Sequence, residues 1–254
     1  MCIIIYSQGK GTNLMPYLWI FYGVYFIVKL FVKKAKFQYL KRNMTHQEID
    51  AYAYKEVKAL AKSLVDITGS TVAVKGEENI PEGSCVFVGN HQANYDILTM
   101  LGYVNKPIGF IAKKELEKLV GVDYWMKQIH CVFIDREDPR DSVKAILLGV
   151  ENLNKGYSMV IYPEGTRSQG SEMGEFKKGA LKLATKAGVP IVPVTINGAY
   201  EIFEAQKGKK VKASKVDIIF SKPINTKELN KEELNNLSDD IKKIISENLK
   251  ELKA

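Results

Sequence analysis

The stretch Val86-Phe87-Val88-Gly89-Asn90-His91-Gln92-Ala93-Asn94-Tyr95-Asp96 passes from a β-branched apolar run, through a polar turn, into a segment able to start a helix. In open α/β folds, ligands bind where such strands end. An imidazole there can serve as a general base near neutral pH, which makes His91 a candidate. Asp96, across the tight turn, can accept from the other ring nitrogen, fixing the tautomer and stabilising the imidazolium. A purely structural His–Asp pair has the same H-x4-D spacing, so this block alone leaves both readings open.

Similar apolar runs occur at Thr71–Val74, Cys85–Val88, Ile108–Ala112, Cys131–Ile134, Met159–Tyr162, Ile191–Ile196 and Val216–Phe220. Helical patterns lie between several of them, around Val143–Leu153 (with Pro139 suited to a first turn) and Phe176–Ala187. Buried strands separated by helices predict an α/β fold: a mixed, largely parallel sheet covered by helices on both faces. Leu234, Leu237, Ile241, Ile244, Ile245, Leu249 and Leu252 form a closing amphipathic helix.

Two further runs end in charge. Val132-Phe133-Ile134-Asp135-Arg136 closes one, and Tyr162-Pro163-Glu164-Gly165-Thr166-Arg167-Ser168 the other. Two arginines at separate strand ends, beside a glycine that lets backbone approach a ligand, suit a phosphate monoester. In Val189-Pro190-Ile191-Val192-Pro193-Val194, at least one proline belongs at a strand start or edge.

These blocks, with Asn90–Asp96 first, resemble in content and order the glycerolipid acyltransferases that include lysophosphatidic acid (1-acylglycerol-3-phosphate) acyltransferase. The resemblance implies the glycerolphosphate acyltransferase-like fold and acyl transfer from acyl-CoA or acyl carrier protein to the sn-2 hydroxyl of lysophosphatidic acid, giving phosphatidic acid, with no cofactor and no metal. It implies that His91 is the base and Asp96 its orienting partner. Arg136, with Glu164, Gly165, Thr166 and Arg167, would hold the glycerol phosphate. Lys113 or Lys114 would add to phosphate or donor binding. Val189, Pro190, Ile191, Val192 and Pro193 would line the acyl-chain region. Two positions depart from the family pattern: Tyr162 stands where Phe is frequent, and His130 where Gly often precedes the second block. The second departure bears on the turn that positions Arg136.

Charge is distributed unevenly along the 254 residues. Residues 1–47 hold seven basic side chains and no acid, while the formal net charge is +8. The basicity therefore belongs to an arm and not to the body, which favours anionic lipid headgroups over nucleic acid. Leu14 to Val32 is apolar and aromatic apart from Lys29, and as a helix would be about 28 Å long. That is close to the roughly 30 Å of a bilayer core. Tyr17, Trp19, Tyr22 and Tyr25 suit the headgroup boundary. Whether this helix spans or lies in one leaflet is left open; if it spans, the lysines after it place the body on the cytoplasmic side of the membrane. Thr45-His46-Gln47-Glu48 is a capping box opening a second helix that runs to Gly69. The expected organisation is a membrane-associating two-helix motif over residues 1–69 and a catalytic domain over 70–254.

Other chemistries fit less well. Cys2, Cys85 and Cys131 show no C-x-x-C spacing, which argues against a zinc site or disulfide framework. No G-x-S-x-G elbow is present. Gly165-x4-Gly170 is followed by Ser171-Glu172 and not by Lys-Ser/Thr, so it is no P-loop. A membrane-tethered lipid-binding protein without turnover would not need both His91 and Asp96, so their joint presence argues against it. An enzyme acting on glycerol 3-phosphate or another lysophospholipid remains the nearest rival.

Overall fold

The computed structural model describes residues 15–207 and 210–252, with side chains from residue 24 onward. Expectations for Cys2, Leu14, Tyr17, Trp19 and Tyr22 fall outside the described backbone or side chains. Contacts divide the chain into residues 1–44 and 45–254.

In the first unit, α1 (Met15–Leu40) continues past the expected end at Val32 and through the lysines. Val24, Tyr25, Ile27, Val28, Phe31 and Val32 are exposed on it. No helix among the described residues is long and apolar enough to cross a membrane.

The second unit opens with α2 (His46–Asp66). Its capping box forms as expected: the Glu48 amide donates to Thr45 Oγ1 at 3.3 Å, and Glu48 Oε2 accepts from the Thr45 amide at 2.8 Å. Small and β-branched residues, Ala53, Val57, Ala61 and Val65, form its buried stripe. That stripe places α2 within the larger unit, where it packs on α3 (Tyr95–Tyr103) and α4 (Val122–Gln128). The division therefore lies at 44/45 and not at the expected 69/70.

Among the described residues, seven strands form one sheet in the order β1-β7-β6-β2-β5-β3-β4. They are β1 (Thr71–Lys75), β2 (Val86–Gly89), β3 (Ile108–Lys113), β4 (Val132–Ile134), β5 (Ser158–Ile161), β6 (Ile191–Asn197) and β7 (Lys215–Phe220). Every neighbouring pair is parallel except β6 with β7. Pro190 precedes β6 and Pro193 lies within it, just before the β7 ladder begins at Val194, so its missing N–H interrupts no β7 pairing.

One sheet face packs Val86, Val88, Ile111, Met159 and Ile161 into a core with residues of α5 (Pro139–Asn154), α6 (Lys182–Ala187) and α7 (Lys231–Glu251). Pro139 opens α5 behind Asp138, whose side chain accepts from the Arg140 amide. On the helical side, α2 and α3 cross closely at Gly102. A Cβ there would sit 2.9 Å from the Lys62 backbone nitrogen and Cα. Gly102→Ala should therefore overpack the crossing and destabilise the protein by about 1–3 kcal/mol, read as a lower urea midpoint at unchanged m-value.

Candidate active site

Five parallel strands, β6, β2, β5, β3 and β4, carry their C-terminal ends to one edge of the sheet, and the charged blocks of the sequence converge there. The edge is built first by Asn90. Its side-chain amide donates to Ile196 O at 2.8 Å and its oxygen accepts from the Ile196 amide at 2.8 Å, extending the β2–β6 pairing by one side chain. The backbone then turns at His91, and α3 begins at Tyr95, so that Asp96 rides in its first turn.

His91 Nδ1 and Asp96 Oδ2 are 2.7 Å apart, both side chains being nearly or wholly buried. The Ala93 amide donates to the same oxygen at 2.8 Å. Burial pushes the Asp96 carboxyl up; the His91 ring and the Ala93 and Gln92 amides pull it back. One face of the imidazole lies against the Tyr162 ring, with centroids 4.2 Å apart and planes 12° from parallel. Tyr162 is buried, which pushes its phenol well above the ordinary range. Its hydroxyl is buried without a partner among the described residues, so what Tyr162 offers His91 is the stacked ring. The expected pair is brought together, with one imidazole nitrogen committed to Asp96 and the other available for chemistry.

The loop after β5 closes against the His91 turn. Ser168 and Gln169 amides donate to His91 O at 2.8 Å and Gln92 O at 3.0 Å. Glu164 supplies the brace. Its Oε1 accepts from the His91 amide at 2.6 Å and its Oε2 from the Gly174 amide at 2.7 Å. Burial raises its pKa and the two amides lower it again. Both oxygens are thus engaged, and a buried carboxylate would repel a phosphate. The expectation that Glu164 holds the acceptor phosphate is corrected: it positions the two loops.

Gly165 follows at φ +71°, a left-handed conformation, and a Cβ there would lie 3.1 Å from Lys177 Nζ. Arg136 Nη1 donates to Gly165 O. Burial lowers the Arg136 pKa and Glu115 raises it, and the guanidinium stays charged. Arg167 instead turns to Glu204, with Nη1 3.3 Å from Oε1. Thr166 is exposed on the loop. Lys113 and Lys114 are surface side chains paired with Glu115 at 2.9 Å and Asp135 at 3.8 Å. They lie at the same strand edge but do not line the cavity beside it.

That cavity, of about 400 Å3, is largely apolar and within the roughly 300–1,000 Å3 of small-molecule sites. Ile111, Ile134 and Ile161, from the ends of three strands, face Ile146 and Leu147 of α5; Arg136, Gly165 and Lys177 add polar groups to its lining. Val189, Pro190, Ile191, Val192 and Pro193 do not line it. From Ile191 on they form β6, held between β2 and β7, with Ile191 and Val192 in the core. Lys177 and Glu204 were missed in the sequence. Lys177 carried a weak signal, following Phe176 at the end of the glycine-rich loop; Glu204 carried none.

His130 adopts φ +60°, a left-handed conformation that favours glycine and is uncommon for other residues. Its ring stacks on Tyr157 at 3.6 Å and lies 3.0 Å from Asp50 Oδ1, and these contacts hold the strained residue. Arg136 still reaches Gly165, so the departure does not displace it. Desolvation pushes the Cys85 and Cys131 thiols up to about 11 and about 12, which disfavours their reactive thiolate forms. Among the described residues no three His, Cys, Asp or Glu side chains are gathered as for a metal ion.

Residues 71–197 match the Acyltransferase family. The chain belongs to that family. It is similar to a probable 1-acyl-sn-glycerol-3-phosphate acyltransferase of Mycoplasma pneumoniae, 34% identical over 76% of this chain and 77% of that protein. A 1-acyl-sn-glycerol-3-phosphate acyltransferase of Saccharomyces cerevisiae is 32% identical over 72% of this chain and 61% of its own length. The crystal structure of the 1-acyl-sn-glycerophosphate (LPA) acyltransferase PlsC from Thermotoga maritima superposes with a TM-score of 0.78 at 32% identity, covering 91% of this chain and 93% of that one.

Glu164→Gln replaces one acceptor oxygen by an NH2 group facing a backbone N–H. The variant should lose about 1–3 kcal/mol of stability and much of its turnover, measured by urea unfolding beside an activity assay.

Proposed function

We propose that the protein transfers a fatty acyl group from a thioester, of coenzyme A or acyl carrier protein, to the sn-2 hydroxyl of 1-acyl-sn-glycerol 3-phosphate, giving phosphatidic acid. The observation that carries this reading is the 2.7 Å His91–Asp96 pair on a loop bonded to the one that receives Arg136. The similar proteins named above supply the acceptor.

The thioester is already activated, so the reaction needs a nucleophile and charge stabilisation. His91 Nε2 takes the hydroxyl proton as the oxygen attacks the thioester carbonyl. Asp96 stabilises the imidazolium so formed. When the tetrahedral intermediate collapses, the C–S bond breaks and the imidazolium returns the proton to the thiolate, leaving a free thiol and an ester. The oxyanion requires donors. The amides of His91, Ala93, Asn94, Gly165, Ser168 and Gln169 are already engaged, and we assign the role to the Thr166 and Arg167 amides, which follow the turn at Gly165. The acyl chain lies in the apolar cavity, and the acceptor phosphate meets Arg136 together with Arg167 from the loop after β5. No cofactor is part of this mechanism.

Exposed Val24, Ile27, Val28 and Phe31 on α1, among lysines, favour attachment to an anionic bilayer surface, where the substrate and product reside.

In an assay of acyl-CoA and acyl-carrier-protein donors against lysophosphatidic acid, glycerol 3-phosphate and lysophosphatidylcholine, turnover on lysophosphatidic acid is expected to dominate. His91→Ala should lower it by about 10²–10⁴-fold while remaining folded. Retained wild-type turnover in that variant would remove the mechanism, and preference for another acceptor would move the assignment to that acceptor. Val28→Asp with Phe31→Asp, in the full chain, should abolish co-sedimentation with vesicles containing phosphatidylglycerol. Undiminished sedimentation would show that attachment lies elsewhere.

A further inference from the structure

Glu204 lies beyond the residues matched to the family, in a short 3-10 turn (Glu204–Gln206) between β6 and β7. Its side chain is only 5% exposed. Burying a carboxylate is costly unless it is paired and hydrogen-bonded, and nothing in a surface connection between two strands demands one.

The partners of Glu204 explain its placement. Oε1 accepts from the Asn94 amide at 2.9 Å and from Arg167 Nη1 at 3.3 Å. Asn94 immediately precedes α3 and makes no side-chain cap of its own. The first amides of a helix lack intrahelical acceptors, and negative charge there is favourable. Glu204, remote in sequence, therefore caps the helix whose first turn carries Asp96. The same oxygen holds the guanidinium of Arg167, whose loop is bonded to the His91 turn. Oε2 is buried without a donor among the described residues, so the carboxylate depends on these two contacts.

We propose that Glu204 is a positioning residue for the acyl transfer described above: it caps α3 to hold Asp96 against His91, and it aims Arg167 at the acceptor phosphate. The inference rests on the acyltransferase reading but predicts a pattern of its own. One carboxylate serves both the proton-transfer pair and a phosphate-binding cation, so its removal affects kcat and acceptor KM together. Its neutral isostere separates them. Glu204→Gln keeps an oxygen for the Asn94 amide but withdraws the counter-charge from Arg167.

The test compares full-length wild type, Glu204→Ala, Glu204→Gln, Arg167→Ala and the Glu204→Ala/Arg167→Ala double variant. Each is assayed for steady-state kinetics with lysophosphatidic acid, for binding of the same lipid by calorimetry, and for thermal unfolding. Glu204→Ala should lower kcat and raise acceptor KM, each by about ten- to a hundredfold, the worth of a hydrogen bond to a charged group. Glu204→Gln should restore kcat to near wild type and leave KM raised. The double variant should have the acceptor KM of Arg167→Ala alone. The proposal is overturned if both Glu204 variants keep wild-type kinetics while melting earlier, which would make Glu204 a structural brace only. It is overturned equally if the KM effects of Glu204→Ala and Arg167→Ala multiply independently. Should wild type fail to acylate lysophosphatidic acid, the acyltransferase reading falls on its own. The calorimetric pattern, with weaker lipid binding in Glu204→Gln, then still decides whether Glu204 governs Arg167.

Discussion

The carboxylate of Glu164, bonded to two backbone amides, fixes where everything else in the site can be. One oxygen holds the His91 amide and the other the Gly174 amide, so the base and both ends of the glycine-rich loop share one rigid frame. Such charge-assisted bonds are stronger than neutral ones and compensate the burial of the charge. Asp96 repeats the device on a smaller scale, accepting from the Ala93 amide with the same oxygen that orients the imidazole. Both carboxylates thus use backbone N–H groups as their counterweight, which keeps positive side chains available for substrate.

The apolar cavity follows from where the strands stop. Ile111, Ile134 and Ile161 lie at or near the C-terminal ends of β3, β4 and β5, so the cavity floor is the edge of the parallel sheet itself. Arg136 comes two residues after the end of β4 and Gly165 four after the end of β5, which puts a guanidinium and a crowded backbone among the same lining groups. An amphiphile with a phosphate and a hydrocarbon chain matches that distribution of chemistry.

What the sequence disclosed divides along the range of the interactions. The strands were legible because a parallel sheet covered on both faces leaves continuous apolar runs such as Cys85–Val88. The contact of His91 with Asp96 was legible because both share one turn, although that spacing suits a structural pair equally well. The phosphate role expected of Glu164 came with the block it shares with Arg167, whereas the amides that occupy its two oxygens belong to the His91 turn and to Gly174 and are out of sight in the sequence. The Val189–Val194 run was read from its residues as a strand and from the family resemblance as a lining; the structure makes most of it the central strand β6 and places none of its first five residues in the cavity wall. The wall includes α5, whose Val143 and Leu147 are exposed and read as core in a helical pattern. The seven-residue α4 is too short to show a period. Glu204 was invisible because an isolated acid in a loop has no pattern, and its partners lie far back along the chain.

The two arginines differ in a way that sequence conceals. Arg136 donates to a carbonyl, so its loss leaves one acceptor that water can reach through the open cavity. Arg167 is the partner of a buried carboxyl group, and its loss leaves Glu204 desolvated and short of a donor. Truncating Arg167 would therefore disturb the cap of α3 as well as any phosphate contact, since Glu204 is shared between them. The cationic loop and the proton-transfer pair are consequently not separable modules. They are joined on one side through Glu164 and on the other through Glu204, so under the proposed reaction a change entering at either joint would reach both the binding and the chemical step.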